Sequence, residues 1–382
     1  DSRRWVRAGY AAFAVIILLQ ASSSVVAQTA ATSFAEVTAN AAAARESGDN
    51  ARAIQLYQQA VQLNPGWAPG WWNLGILQYG ANAYAPAGDA LTHYLNLTPN
   101  AGPAFALRGQ CEFEEGQYAE SLTDLQKAVG FGAANDPRNS GIIHFHEAMA
   151  LTRLGRFEEA LGQYTVLIQH GVLGDSAIHD DVIRGLGLAG LRMPILPQDV
   201  EPLQRDLITA TGQAAADVMS GDFAGGQKAF EEVFRRFPTT PYLHYLDGYL
   251  LFETYPDEAI AQFEKELEVS PSSAVVHAML AWALGMQGEY GAALTYAQKA
   301  VAEDSSLALS QLVMGRDLLE TGDVKGCLPH LESALRTEPQ NLEAHLALGK
   351  AYSILGRKDD ARRERLMCLE LTQKRAAPDA NM

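Results

Sequence analysis

A chain of 382 residues with 48% hydrophobic side chains can bury a large core, and by length alone would form two or three globular domains. Its formal charge of −16 excludes a nucleic-acid partner, which needs a basic surface, and disfavours anionic membrane surfaces. Three widely spaced cysteines, Cys111, Cys327 and Cys368, supply neither a disulfide framework nor a Cys-x-x-Cys metal or haem motif, and read as small core residues.

The first 27 residues read as an export signal. Arg3, Arg4 and Arg7 form a basic flank, Ala8 to Leu19 an apolar run too short for a comfortable membrane span, and Ser22 to Ala27 an exit ending in small residues. Cleavage is expected after Ala27, leaving a mature protein that is periplasmic or extracellular. A general secretory route fits better than the twin-arginine route, which Ser2-Arg3-Arg4-Trp5-Val6 resembles only faintly. A membrane attachment follows only if the leader stays uncleaved.

From residue 28 onward the chain repeats. Small residues recur at Ala41, Gly75, Gly109, Ala148, Ala214, Gly248, Ala281, Gly315 and Gly349, mostly 34 apart. Seven places later comes a glycine at Gly48, Gly116, Gly155, Gly221, Gly288, Gly322 and Gly356, and twelve places later a second small residue, from Ala53 to Ala361. A fixed period of this length marks a helical repeat array. The small residues let two antiparallel helices approach, the glycine takes the positive φ that ends the first helix, and Pro65, Pro99, Pro238, Pro271 and Pro339 stop the second. Units start near 34, 68, 102, 141, 207, 241, 274, 308 and 342. Tyr94 and Glu266 stand where a small residue is usual, and the unit at 241 is one residue short.

Two arrays, 28–171 and 207–371, are expected to flank an interruption at 172–206. That stretch holds an orphan helix over 177–192 and the prolines Pro194, Pro197 and Pro202. A short insert, 133–137, parts the third and fourth units. The last unit reads as a polar cap, with Arg365 where other units carry Tyr57, Tyr164, Phe230 or Phe263, and 372–382 reads as a disordered tail.

No motif supports an enzyme or a cofactor. Gly185-Leu186-Gly187-Leu188-Ala189-Gly190 matches Gly-x-Gly-x-x-Gly, but no strand precedes it, so close helix packing is the better reading. His146-Glu147-Ala148-Met149-Ala150 lacks the second histidine of a zinc-protease helix. His144, His244, His277 and His345 share one repeat place and read as structural. His179, Asp180 and Asp181 read as a helix N-terminus.

Trp71-Trp72-Asn73-Leu74-Gly75, Phe105-Ala106-Leu107-Arg108-Gly109, Leu154-Gly155-Arg156-Phe157-Glu158-Glu159-Ala160-Leu161 and His345-Leu346-Ala347-Leu348-Gly349-Lys350-Ala351-Tyr352 resemble the tetratricopeptide repeat family. The resemblance implies an all-α fold, a right-handed α-solenoid of about nine antiparallel helix pairs. It also implies that the first helices line a concave surface. The inward places then hold Trp72, Asn73, Ile76, Tyr79, Phe113, Phe145, Met149, Tyr242, Tyr245, Tyr249, Phe252 and Trp282. The paired Lys and Asn that some members use to grip a C-terminal carboxylate are missing, since Pro103, Ala106 and Leu107 occupy the nearby places. The resulting expectation is a non-enzymatic scaffold of the cell envelope that binds a protein or peptide in an aromatic groove. The alternative is a structural protein that self-assembles, as a homo-oligomer or filament subunit.

Overall fold

The computed structural model describes residues 33–171 and 178–376. The expected leader, residues 1–27, lies outside them. Among the described residues the chain is all-helical, with 19 α-helices, two 3₁₀ turns and no strand. None of these helices is long and apolar enough to cross a membrane.

The chain divides between His170 and Gly171 into two compact units. The first holds four helix pairs: α1 (33–46) with α2 (Asn50–Leu63), α3 (Ala68–Gly80) with α4 (Tyr84–Leu97), α5 (Gly102–Glu114) with α6 (Tyr118–Gly130), and α7 (Pro137–Arg153) with α8 (Phe157–Gln169). A 3₁₀ turn over Ala133–Asn135 fills the insert before α7, which starts four residues earlier than its period predicts.

The second unit opens with α9 (His179–Gly190), which has no partner of its own repeat. Five pairs follow: α10 (Arg205–Met219) with α11 (Phe223–Arg236), α12 (Leu243–Leu251) with α13 (Pro256–Val269), α14 (Ala274–Met286) with α15 (Tyr290–Glu303), α16 (Ala308–Glu320) with α17 (Cys327–Thr337), and α18 (Leu342–Ile354) with α19 (Lys358–Ala376). The fold is an α-solenoid of helix pairs.

The spacing of small residues sets how closely each pair packs. A Cβ on Gly315 would lie 2.6 Å from Leu331, and one on Gly248 would lie 2.8 Å from Phe263, so the second helix lies where a side chain would be. All seven glycines at the helix ends have positive φ, from 73° to 98°. Asn82, with φ 56°, does the same work in one of the two units that lack the glycine.

The glycine triplet of α9 is a crossing point. A Cβ on Gly187 would fall 2.1 Å from the Ile208 carbonyl, and one on Gly212 would fall 1.9 Å from the Ile183 carbonyl. The backbones of α9 and α10 therefore meet where only glycine fits. This is the packing reading of Gly185–Gly190, and Val182, Ile183, Leu186 and Leu188 bury the rest of that face.

Two expectations change. The polar cap is only half polar: Arg365 is exposed, but so are Leu366, Met367 and Leu369 on the same helix. Helix α19 also runs to Ala376, through the first five residues of the expected tail (372–376). Leu371 is buried and the Thr372 hydroxyl donates to the Cys368 carbonyl at 2.8 Å, which holds that last turn.

The short unit has its own repair. Tyr242 sits at φ 66° and α12 has nine residues. Glu266, fully buried, reaches across from α13 and accepts the backbone N–H of Tyr242 at 2.7 Å, His244 at 3.1 Å and Tyr245 at 3.3 Å. A carboxylate at a helix N-terminus satisfies orphan donors and meets the positive end of the dipole. The residue that departs from the small-residue pattern is thus the cap of the irregular helix.

Candidate functional site

The candidate site is the face formed by the first helix of each pair, and each unit presents its own. In the first unit, α3 carries Trp72, Asn73, Ile76 and Tyr79. Trp72 is half-buried against the Tyr94 ring at 5.3 Å. Asn73 accepts a hydrogen bond from Arg45 and donates to the Pro69 carbonyl at 2.7 Å. Tyr79 donates its hydroxyl to Gln110 Oε1 at 3.1 Å, and burial together with Glu114 pushes its phenol up to about 12. Ile76 is exposed. Phe113, Phe145 and Met149 are buried. The Phe113 ring meets Tyr118 and His146 edge-on at 5.3 and 5.1 Å, so its faces are spent on neighbours.

The second unit differs. Tyr245 is only 1% exposed, sandwiched against Tyr249 and Phe263 at 6.2 and 5.9 Å. Tyr245 therefore adds no surface to the expected aromatic groove, because Phe263 of its own helix pair and the α14 side chains of the same core cluster cover it. Tyr242, Tyr249, Phe252 and Trp282 are half-buried and pack on the core from its edge. The Arg192 guanidinium lies over Tyr242 at 5.6 Å, and the Arg316 guanidinium lies over Trp282 at 4.7 Å.

The ninth place of four successive repeats makes a row here: Tyr249, Trp282, Arg316 and Lys350. Arg316 donates to the Ala281 carbonyl at 3.0 Å and pairs with Asp317 at 2.9 Å; Lys350 pairs with Glu320. Aromatic character thus gives way to paired positive charge along one stripe. The sequence reading found the two aromatics and missed the two cations, although the 34-residue step carries directly from Trp282 to Arg316 and Lys350.

Elsewhere the polar side chains do structural work. His144, His244, His277 and His345 each use Nδ1 to donate across the pair, to Gln163 at 2.8 Å, Gln262 at 2.7 Å, Glu303 at 2.8 Å and Glu364 at 2.6 Å. His146 donates to the Ile142 carbonyl at 2.8 Å, and burial lowers its pKa. Among the described residues no group of three or more His, Cys, Asp or Glu is placed to hold a metal ion. Burial pushes the Cys111 thiol up to about 12 and the Cys327 thiol to about 11, so neither is a nucleophile at neutral pH. All three cysteines are free thiols, with no Cys327–Cys368 bridge.

Tetratricopeptide repeat models match residues 38–102, 256–308 and 318–364. The chain carries tetratricopeptide repeats. These stretches fall on helices α1–α4, α13–α15 and α16–α19, so both units contain matched repeats. The chain is 22% identical over 320 residues to "Protein CTR9 homolog" of Arabidopsis thaliana, which covers 81% of this chain. It spans about a quarter of that relative's length, 26%. Among solved structures, it resembles MamA at 24% identity, over 43% of this chain and 96% of MamA, with a TM-score of 0.38. It also resembles PilW, titled a type IV pilus biogenesis factor, at 18% identity over 46% and 80%, with a TM-score of 0.40. A third, YrrB, titled a TPR protein with an unusual peptide-binding site, is 17% identical over 44% and 86%, with a TM-score of 0.36.

Proposed function

We propose that the protein is a non-enzymatic scaffold that binds an extended protein segment along the inner face of its second unit. Repeat proteins of this kind generally mediate protein–protein interaction. The observation that carries the reading is the row Tyr249, Trp282, Arg316 and Lys350, one side chain from each of four consecutive repeats. Its aromatic end offers large, rigid contact area at low entropic cost. Its basic end favours a carboxylate on the partner. The leader-like residues 1–27 support export, so the partner belongs to the cell envelope or the exterior.

The test is selection of random displayed peptides on the whole chain, followed by calorimetry of the recovered peptides against wild type and a Tyr249→Ser, Trp282→Ala double variant. The reading predicts peptides with apolar residues followed by acidic ones, bound at least about tenfold more weakly by the variant. Equal affinity for both forms would overturn it.

One observation favours self-association as a second reading. Leu346 is 49% exposed and Leu369 is 59% exposed. One repeat earlier, the corresponding Leu312 is buried and Leu335 packs on the core. The last pair thus leaves uncovered the places that the next repeat would fill. Sedimentation of wild type beside Leu346→Glu, Leu369→Glu separates the cases; a concentration-independent monomer in both removes this reading.

A further inference from the structure

The first and last helix pairs each leave one face uncovered, and the two faces match. In α18 the third, sixth and tenth places of the repeat hold Ala344, Ala347 and Ala351. Ala344 and Ala351 are fully buried and share a core cluster with Ala334 of α17, so this stripe faces the preceding pair. In α3 the third place is Gly70, and a Cβ there would fall 2.8 Å from Val61 of the preceding pair. Val61 stands at the repeat place that Leu369 fills in the last pair. Helix α1 brings Glu36, Ala39 and Ala43 to the same three places, and all three are exposed, since no pair precedes α1 among the described residues. At the other end Leu346 and Leu369 are exposed. Arg365 and Arg362, also exposed, lie four and seven residues before Leu369, on the same stripe of α19.

We propose that α1 of a second copy docks head to tail on α18 and α19, where the first helix of a further repeat would lie. Ala39 and Ala43 let α1 approach as closely as Ala347 and Ala351 let α18 approach α17. Leu346 and Leu369 supply the apolar area that the approach buries. Glu36 takes the place that Gly70 takes in α3, over Leu369, and so meets Arg362 and Arg365 with opposite charge. A tail-to-tail pair would instead set these arginines against their own copies, which like charge opposes. This docking rests on the self-association reading and deepens it, because it names the two surfaces that meet. Such a contact is heterologous: each copy keeps one free end, so assembly continues past the dimer.

The experiment is sedimentation velocity of the whole chain over a concentration series, with variants that block one end each. Ala39→Gln, Ala43→Gln fills the small-residue stripe of α1 with neutral side chains, and Leu346→Glu, Leu369→Glu spoils the leucine end. All four positions are exposed, so each variant should keep the wild-type melting temperature to within about 3 °C. Wild type should grow past the dimer as concentration rises, and each variant alone should stay monomeric over the same range. Their equimolar mixture should stop at a dimer, because one intact pair of ends remains. Glu36→Arg should weaken wild-type association at least about tenfold, and adding Arg362→Glu, Arg365→Glu to the same chain should restore it. Monomeric wild type at every concentration would overturn the docking and the self-association reading together, the result expected if a different protein covers the leucine end. Undiminished association of Ala39→Gln, Ala43→Gln, or a mixture of folded variants that stays monomeric while wild type associates, would overturn the docking alone.

Discussion

The two units build the same repeat and spend its ninth place differently. In the first unit that place holds Ala42, Ile76, Gln110 and Met149, all uncharged and non-aromatic, with Ile76 exposed and Met149 buried. In the second unit Tyr249, Trp282, Arg316 and Lys350 keep part of their surface in solvent. The difference teaches that a repeat place does not by itself fix a role. What decides is whether the adjacent helix pair comes close enough to cover it.

The largest effect should come from breaking the device that shapes the second unit's face. Glu266→Ala leaves the N–H groups of Tyr242, His244 and Tyr245 without an acceptor, at a cost of about 4 kcal/mol. Chemical denaturation measures it; a loss under about 1 kcal/mol would show that the cap is incidental. Met149→Ala in the first unit should cost about 3 kcal/mol by cavity formation. Its repeat counterpart Lys350→Ala should cost less than about 0.5 kcal/mol. Similar costs for the two would erase the contrast between the faces.

A pH series sharpens the picture of the second unit's interior. Burial raises the Asp247 carboxyl from 3.8 to about 6, opposed by the hydrogen bond from Gln227. Its Oδ2 is buried without a partner. A group with a raised folded pKa contributes stability that is fully present below its unfolded value and is lost as pH rises through the folded one. Stability should therefore fall between about pH 4 and pH 7, and Asp247→Asn should recover about 2 kcal/mol near neutrality and almost nothing at about pH 4. A uniform gain at both would contradict the assignment of that fall to Asp247.

The smallest contrast concerns helix approach. Gly315→Ala forces a methyl to within 2.6 Å of Leu331 and should cost about 1 kcal/mol or more. Gly349→Ala meets only Glu364 Cβ at 3.5 Å and should gain up to about 1 kcal/mol from helix propensity. Thermal melts of the pair read the difference directly.

The fold was legible because its constraints are local and periodic. A glycine that must take positive φ and a small residue under a crossing helix leave the same mark in every repeat, so Gly48 to Gly356 and Ala41 to Gly349 could be read without coordinates. The function of Glu266 was legible only as an anomaly. An acid at a small-residue place, in a unit one residue short, was the available signal, but its three N–H partners depend on the αL turn at Tyr242. Accessibility was not legible at all: Tyr245 and Tyr249 lie four residues apart on one stripe, yet one is sealed by Phe263 and the next repeat while the other is not.

The central claim is that the second unit's inner face, and not the first unit's, meets the partner. Methionine side chains report on both: Met286, 59% exposed, lies one turn beyond Trp282, and Met149 sits at the matching face of the first unit. The most direct measurement is methyl NMR of the chain labelled at methionine, titrated with a peptide recovered by selection on the whole chain. The account predicts a saturating shift at Met286 with Met149 unmoved. A shift at Met149 with Met286 unmoved would contradict it.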